Sequence, residues 1–383
     1  MMDFSQMYSL FTTGRTALEN GQFRRASELY EQAYSLAECA DDDLIGGKYV
    51  AIFRRNAASS FQATSRLREA LAVLTPLKRN TKIPSCCVYG NMTDHFSIAL
   101  ELPISLSTIE KSYGEAESYF QTSGGFSWKS RILNMKAELL LARGLLVEAQ
   151  HVAQEGWTRR DDDCPNHYAT THLSTLVRID IARRDAAGAG RYLAIWEKQD
   201  ESSQLMKRVE FATLQSRTAR LAGDLGGALD YARGAVIFAE MVDWGEARYA
   251  AHCALARVFI VSGEHARARE LLRRAGGMRR SESGHERYTL QLLRGDYHLA
   301  RARAAVGASA IDDEFVEDLP RPFAHAADNV ERAQALRKAR AAYRSASDVG
   351  CWIDRQLECS ARGAEVSARL ARADAFDAPL ETS

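Results

Sequence analysis

The chain has 383 residues with 50 basic and 50 acidic side chains, so no net charge draws it toward nucleic acid or an anionic membrane surface. Hydrophobic residues make up 46% and charged residues 26%, an ordinary globular balance, and only 7 prolines leave room for long helices. No apolar run approaches the roughly 18 residues of a membrane span, the start Met1-Met2-Asp3-Phe4-Ser5-Gln6 lacks the pattern of a secretory signal, and the 7 irregularly spaced cysteines suit reduced thiols, so a cytoplasmic chain without a membrane partner is expected.

The first predicted unit is carried by Gly14, Ala17, Gly21, Phe23, Ala26, Tyr30 and Ala33. Small residues stand seven before and five after the turn at Gly21, where two helices would cross, and aromatic residues two and nine after it would fill the gap between them. Asp41, Asp42 and Asp43 suit a loop and the start of the next helix. A second, looser unit is predicted over 44–62 and 65–78, with Ala70 and Leu74 at the crossing. The stretch Asn80 to Asn91, with Pro84, Cys86, Cys87 and Gly90, reads as an irregular connection. In the third unit Pro103 interrupts the first helix, the run Tyr113 to Phe120 begins or carries the second, and Gly124-Gly125 ends it.

From Phe126 the pattern sharpens. Ala137, Leu140, Gly144, Ala149, Ala153 and Gly156 form a fourth unit, with 161–166 as its exit loop. The fifth has helices near 167–183 and 187–198, Asp185 at the turn and Gly190 at the crossing. The sixth and seventh are the clearest, the same pattern 40 residues apart: Ser216, Ala219, Gly223, Ala228, Ala232, Ala235, then Ala256, Phe259, Gly263, Ala268, Leu272, Ala275. A loop follows over 276–284. A long helix over 285–306 opens the eighth unit, an acidic insertion spans 308–324, a helix covers 328–347 with Ala339, Tyr343 and Ala346 in the familiar spacing, and a last helix over 351–373 caps the end.

A period of this size marks a stacked-repeat architecture. The residues above resemble the tetratricopeptide repeat (TPR), and in particular long-helix TPR arrays of bacterial regulators and scaffold subunits. The resemblance covers nearly the whole chain, although only the first, fourth, sixth and seventh units have the turn Gly and crossing Ala together. It implies an all-α, TPR-like α-solenoid: a right-handed superhelix of about eight helix pairs and a C-terminal capping helix. One domain is expected over 1–376, looser over residues 1–125 and regular over residues 126–307, with the insertion 308–324, C-terminal helices 325–376 and a tail 377–383.

Enzyme signatures are missing. There is no phosphate loop ending in Gly-Lys-Ser/Thr, no Gly-x-Ser-x-Gly elbow, and no second His four after His285, which excludes the zinc-protease helix. Gly188-Ala189-Gly190 resembles half of a dinucleotide fingerprint but follows a helix. The run Asp161 to His167, with His172, is the one ligand-rich stretch, yet His167 and His172 stand five apart, on different sides of a helix, so a solvated loop is favoured and no metal or other cofactor is expected.

The sharper signal is a row of arginines. Six residues before the Gly that ends a first helix stand Arg217, Arg257 and Arg301, with Arg15 in the first unit, whereas the fourth and fifth units give Glu138 and Ile179. Stacked helices lie about 10 Å apart, and in TPR arrays the first helices line the concave face. Arg220 and Arg294 fall near the same row, and Tyr297, Leu214 and Ile260 are candidates for an apolar floor. Guanidinium groups in a stripe suit carboxylates or phosphates, so the row reads either as a groove for an acidic peptide or protein face, or as inter-repeat salt bridging with Glu210 and Asp296. The acidic insertion is expected to lie over the groove and compete with the partner.

The expected function is a non-enzymatic protein-binding adaptor or regulatory subunit holding a protein or acidic peptide. The alternatives are a peptide- or ligand-responsive sensor and, without interleaved aromatics to support it, nucleic-acid binding through the basic groove.

Overall fold

The computed structural model describes residues 4–20, 22–38, 47–63, 66–75, 85–123, 129–160, 169–199, 205–242, 244–280, 282–304 and 326–349, together with Ala364, Val366 and Ser367. Among these, 16 helices and no strands are present. They run in sequence as eight pairs: α1 (Phe4–Glu19) and α2 (Phe23–Glu38), α3 (Gly47–Ala63) and α4 (Leu67–Leu74), α5 (Ser85–Glu101) and α6 (Leu106–Ser123), α7 (Lys129–Ala142) and α8 (Leu146–Thr158), α9 (Ala169–Ala182) and α10 (Ala186–Glu197), α11 (Leu205–Leu221) and α12 (Leu225–Glu240), α13 (Gly245–Val261) and α14 (His265–Met278), and α15 (Gly284–Ala304) and α16 (Ala326–Val349). The fold is an all-α helical repeat. None of the described helices is long and apolar enough to cross a membrane.

One local geometry recurs at the turns within the pairs. The backbone N–H of the residue just before the second helix bonds a carbonyl five residues back: Gln22 to Ala17 at 2.8 Å, Arg66 to Phe61 at 2.7 Å, Leu145 to Leu140 at 3.0 Å, Asp185 to Asp180 at 2.8 Å, Asp224 to Ala219 at 2.9 Å and Glu264 to Phe259 at 2.9 Å. This is the wide bond of a Schellman closure, which needs a left-handed residue just past the helix end. Gly144, Gly223 and Gly263 supply it with φ of 74°, 83° and 76°, and Arg184 takes the same conformation at 61°. Asp185 and Asp224 then cap the next helix, each accepting at 2.8 Å from the amide three residues on.

Four residues past each of these starts the helices cross on an alanine. Ala26, Ala70, Ala149, Ala189, Ala228 and Ala268 are all 0–1% exposed. This corrects the fifth unit, where the expected crossing residue was Gly190: a Cβ on Gly190 would meet nothing within 4 Å. The left-handed position there is filled by Arg184, so the register begins one residue earlier than a count from Asp185.

Two other boundaries differ from expectation. Residues 85–91 belong to α5 rather than to an irregular connection. Proline favours the start of a helix, and α5 begins at Ser85, the residue after Pro84 in the sequence. Gly90 sits inside that helix where the Arg55 guanidinium of α3 lies 2.8 Å from a would-be Cβ. Gly276 and Gly277 are inside α14, which runs to Met278. Pro103 stands between α5 and α6 and ends the first helix of its pair, and Tyr113 lies within α6. Asn166 and the rest of the run 161–167, the insertion 308–324 and most of the capping segment 351–373 lie outside the described residues.

Two compact units are present. The first comprises Met1–Ala251 with Arg280–Ser283, the second His252–Arg279 with Gly284–Ser383. In the first, interhelical clusters succeed one another along the chain: Met7, Ala33 and Phe53; then Ala137, Ala149, Ala153, Leu176 and Ile179; then Leu173, Val177, Ala189, Leu193, Trp196 and Leu214; then Val209, Ala212, Ala235, Ala239, Val242, Ala247 and Ala251. In the second, Tyr288, Leu292 and Leu299 of α15 meet Leu336, Ala339, Tyr343 and Ala346 of α16.

Candidate functional site

Arg15 is exposed on α1, whereas the other predicted arginines are half-buried side chains on first helices and divide between the two units. Arg217 and Arg220 stand on α11 in the first unit; Arg257 on α13 and Arg294 and Arg301 on α15 belong to the second. The apolar members are buried. Leu214 is 3% exposed within the cluster of Trp196 and Leu173, Ile260 is 5% exposed, and the Tyr297 ring is 7% exposed. All three are closed off from solvent, so they act as packing and not as an open floor.

The corrected register adds a residue that the count from Asp185 missed. Six residues before the left-handed position of the fifth unit stands Arg178, where Arg217 and Arg257 stand in theirs. The signal was present in the sequence, but it depends on knowing that Arg184 takes a glycine's conformation. Arg178 pairs with Glu138, the equivalent residue of the preceding unit, at 3.2 Å, and Thr175 donates to the same carboxylate at 3.3 Å. Inter-repeat salt bridging therefore operates at this step of the row. Glu210, the partner expected for the arginines, accepts from Ser174 at 2.5 Å and pairs with Lys207 at 3.4 Å. Asp296 accepts from the Tyr343 hydroxyl at 2.8 Å.

In the second unit the row is joined by histidines. The Tyr297 ring meets His265 of α14 edge-on at 6.1 Å and its neighbour His298 at 5.0 Å. Burial first, then the charges of Lys338, Arg301 and Arg294, hold the His298 imidazole down to about 4. Burial and Arg301 lower His265. Both rings are therefore neutral near pH 7.

The N-terminal half of the first unit offers a different surface. A cleft of about 490 Å³ between α3 and α5 is lined by Arg55, Asn56, Ser59, Gln62, Asp94 and Ser97. Ser59 occupies the position equivalent to Arg217. The cleft's charges neutralise each other, since the Arg55 guanidinium donates from Nε to Asp94 at 2.5 Å and from Nη2 at 3.3 Å.

His172, the one described member of the ligand-rich stretch, is buried in α9 with its Nε2 3.3 Å from Ser130 Oγ. Burial, Arg131 and Arg160 hold it down to about 4.

No protein-family model matches the sequence, and no curated protein matches it. Solved structures do. The chain is similar to Rap protein complexed with Competence and Sporulation Factor, at 13% identity and a TM-score of 0.55 over 97% of this chain and 98% of that one. It also aligns with a tetratricopeptide repeat protein from Parabacteroides merdae ATCC 43184, at 13% identity and a TM-score of 0.37 over 90% of this chain and 97% of that one. The apo form of the quorum sensor NprR from B. thuringiensis aligns at 12% identity and a TM-score of 0.40 over 95% of this chain and 98% of that one.

Proposed function

We propose that this chain, whose fold is a tetratricopeptide-type helical repeat, is a non-enzymatic regulator or adaptor that holds a protein or an acidic peptide against its first helices. The observation that carries this reading lies in the second unit, where Arg257 of α13 and Arg301 of α15 are half-buried on first helices; within the first unit Arg217 of α11 holds the corresponding repeat position. A half-buried guanidinium suits a carboxylate, with which it makes charge-assisted hydrogen bonds. Arg220 and Arg294 extend the set. The same position is neutral or acidic at Ser59 and Glu138, whereas Arg15 and Arg178 hold it in the first and fifth pairs, so the cationic character is interrupted along the array.

The similarity to a Rap protein solved with Competence and Sporulation Factor supports a sensor as the second reading, because that protein of like fold holds a separate factor. A partner that is a protein and a factor that is a small peptide give different results in one experiment. The full chain is immobilised and exposed to lysate of its source cell, beside a variant carrying Arg217→Glu, Arg257→Glu and Arg301→Glu. The adaptor reading expects a stoichiometric protein on the wild type and its loss on the variant. A peptide in the eluate, with compaction of the chain in X-ray scattering, favours the sensor. Equal capture by both forms would remove the arginine row from the site.

A further inference from the structure

We propose that Asp180 and Asp185 share one proton, held on Asp180 Oδ2 and donated to Asp185 Oδ2, and that this proton fastens the α9–α10 turn as a pH-sensitive element of the fifth helix pair. Asp180, near the end of α9, is fully buried. Its partners cover only one oxygen. Oδ1 accepts from Gln150 Nε2 of α8 at 2.9 Å and has Arg183 Nη1 at 3.6 Å. Oδ2 is buried and has no hydrogen-bond partner. A Cβ on Gly188 would collide with Oδ2 of Asp180 and with Oδ2 of Asp185, so both oxygens turn to the same point beside this glycine. Asp185 is fixed in that position, because its Oδ1 caps α10 by accepting from the Gly188 amide at 2.8 Å.

Two ionised carboxylates so placed repel each other, and burial disfavours the charge on Asp180 as well. A proton relieves both. It turns the unpartnered oxygen from an acceptor into a donor and supplies the hydrogen bond that a buried polar atom requires. Burial first, then Asp185, push the Asp180 carboxyl above the ordinary aspartate value, against the opposing pull of Arg183 on its own helix, Arg191 of α10 and Gln150 of α8. On α7 and α11, which also pack on α9, Glu138 is taken up by Arg178 and Glu210 by Ser174 and Lys207. The proton belongs to the Asp180–Asp185 pair and not to either residue alone.

The folded chain therefore holds this proton more tightly than the unfolded chain, whose aspartates titrate at about 3.9. The stability it contributes is complete below that value and is lost as pH rises through the raised folded value. Loss of the proton restores the repulsion within the turn and loosens the junction that Asp180 makes with α8 and α10.

The test compares urea unfolding of the full chain with that of Asp180→Asn between about pH 4.5 and 8.5, above the ordinary aspartate range. The Asn amide copies the protonated acid, donating to Asp185 while its oxygen accepts from Gln150. As pH rises, the wild-type unfolding constant should grow relative to that of the variant, by up to about tenfold per pH unit for one proton. Asp185→Asn keeps a capping side chain and removes the facing charge, so it should shrink this pH dependence. In NMR of the wild-type chain labelled with carbon-13 at the aspartate carboxyls, one carboxyl should titrate above about 3.9. Its titration should be missing from Asp180→Asn and return toward the ordinary value in Asp185→Asn. A difference between wild type and Asp180→Asn that is flat or of opposite sign with pH, no carboxyl titrating above the ordinary value, or an undiminished effect in Asp185→Asn overturns the proposal. So does a pH effect abolished by EDTA and restored by calcium, which would put a cation between the carboxylates in place of the proton. Where Asp180→Asn fails to fold, the carboxyl titrations of the wild type and of Asp185→Asn decide the matter by themselves.

Discussion

Arg184 has a φ of 61° at the helix-end position where Gly144, Gly223 and Gly263 take 74° to 83°. A left-handed conformation costs a residue with a Cβ about 1–2 kcal/mol, and the wide Asp185-to-Asp180 bond of 2.8 Å holds it there. Arg184→Gly should therefore raise stability by about 0.5–1 kcal/mol, after the extra freedom that glycine gives the unfolded chain. The urea midpoint measures this directly. A lower midpoint would mean that the guanidinium contributes more than the backbone strain removes. The same residue explains a sequence-level miss. A glycine-based count cannot see a turn whose glycine has been replaced, so the fifth unit slipped by one, and with it Arg178 was passed over in favour of Ile179.

Each helix pair is held by one small residue at its crossing. Alanine there lets the backbones approach, and large neighbours such as Trp196, Leu193 and Leu173 fill the space on either side. In α10 two adjacent substitutions should act in opposite directions. Ala189→Leu should destabilise by about 1–3 kcal/mol, because the fully buried site has no room for three more carbons. Gly190→Ala should stabilise by about 0.5–1 kcal/mol, since the added methyl meets open space in a helix interior. Thermal denaturation of the two variants compares them, and the reverse order would restore Gly190 as the crossing residue. The element-level pattern was legible wherever the small residue and the turn coincided, as at Ala149, Ala228 and Ala268. It was weaker near Gly90, because a glycine that accommodates a neighbouring arginine has the same appearance in sequence as one that breaks a helix.

At the scale of the molecule, a contact within the first unit joins segments far apart in the chain. The Arg280 guanidinium is 2% exposed and pairs with Glu101 of α5 and, at 3.2 Å, with Glu246 at the start of α13. Glu101 also accepts from Gln62 at 2.9 Å, and Glu282 accepts from the backbone amide of Arg68 at 2.9 Å. The stretch 276–284 had read as a spacer loop, and nothing in its own residues shows that Arg280 and Glu282 have partners some 180 to 210 positions earlier. Removing one member of a buried charge cluster leaves the others unpaired, so Arg280→Met should cost about 3 kcal/mol. Adding Glu101→Gln should recover some of the loss, because the second change removes a stranded charge. A shift of the melting temperature within error for Arg280→Met would show the cluster to be solvated and energetically minor.

By itself, the sequence determined the all-α repeat, its eight helix pairs and the candidate arginines, because these follow from local periods: small residues at fixed distances from a turn, and charges at fixed distances from the same turn. Only the tertiary structure decided the register of the fifth unit, the burial of Leu214, Ile260 and Tyr297, the pairing of Arg178 with Glu138, and the gathering of His265, His298 and Lys338 around the row. Those depend on which side of a helix meets its neighbour and on contacts between residues tens or hundreds of positions apart. A periodic pattern specifies spacing along one helix, whereas the partners of a side chain are set by the helices stacked beside it.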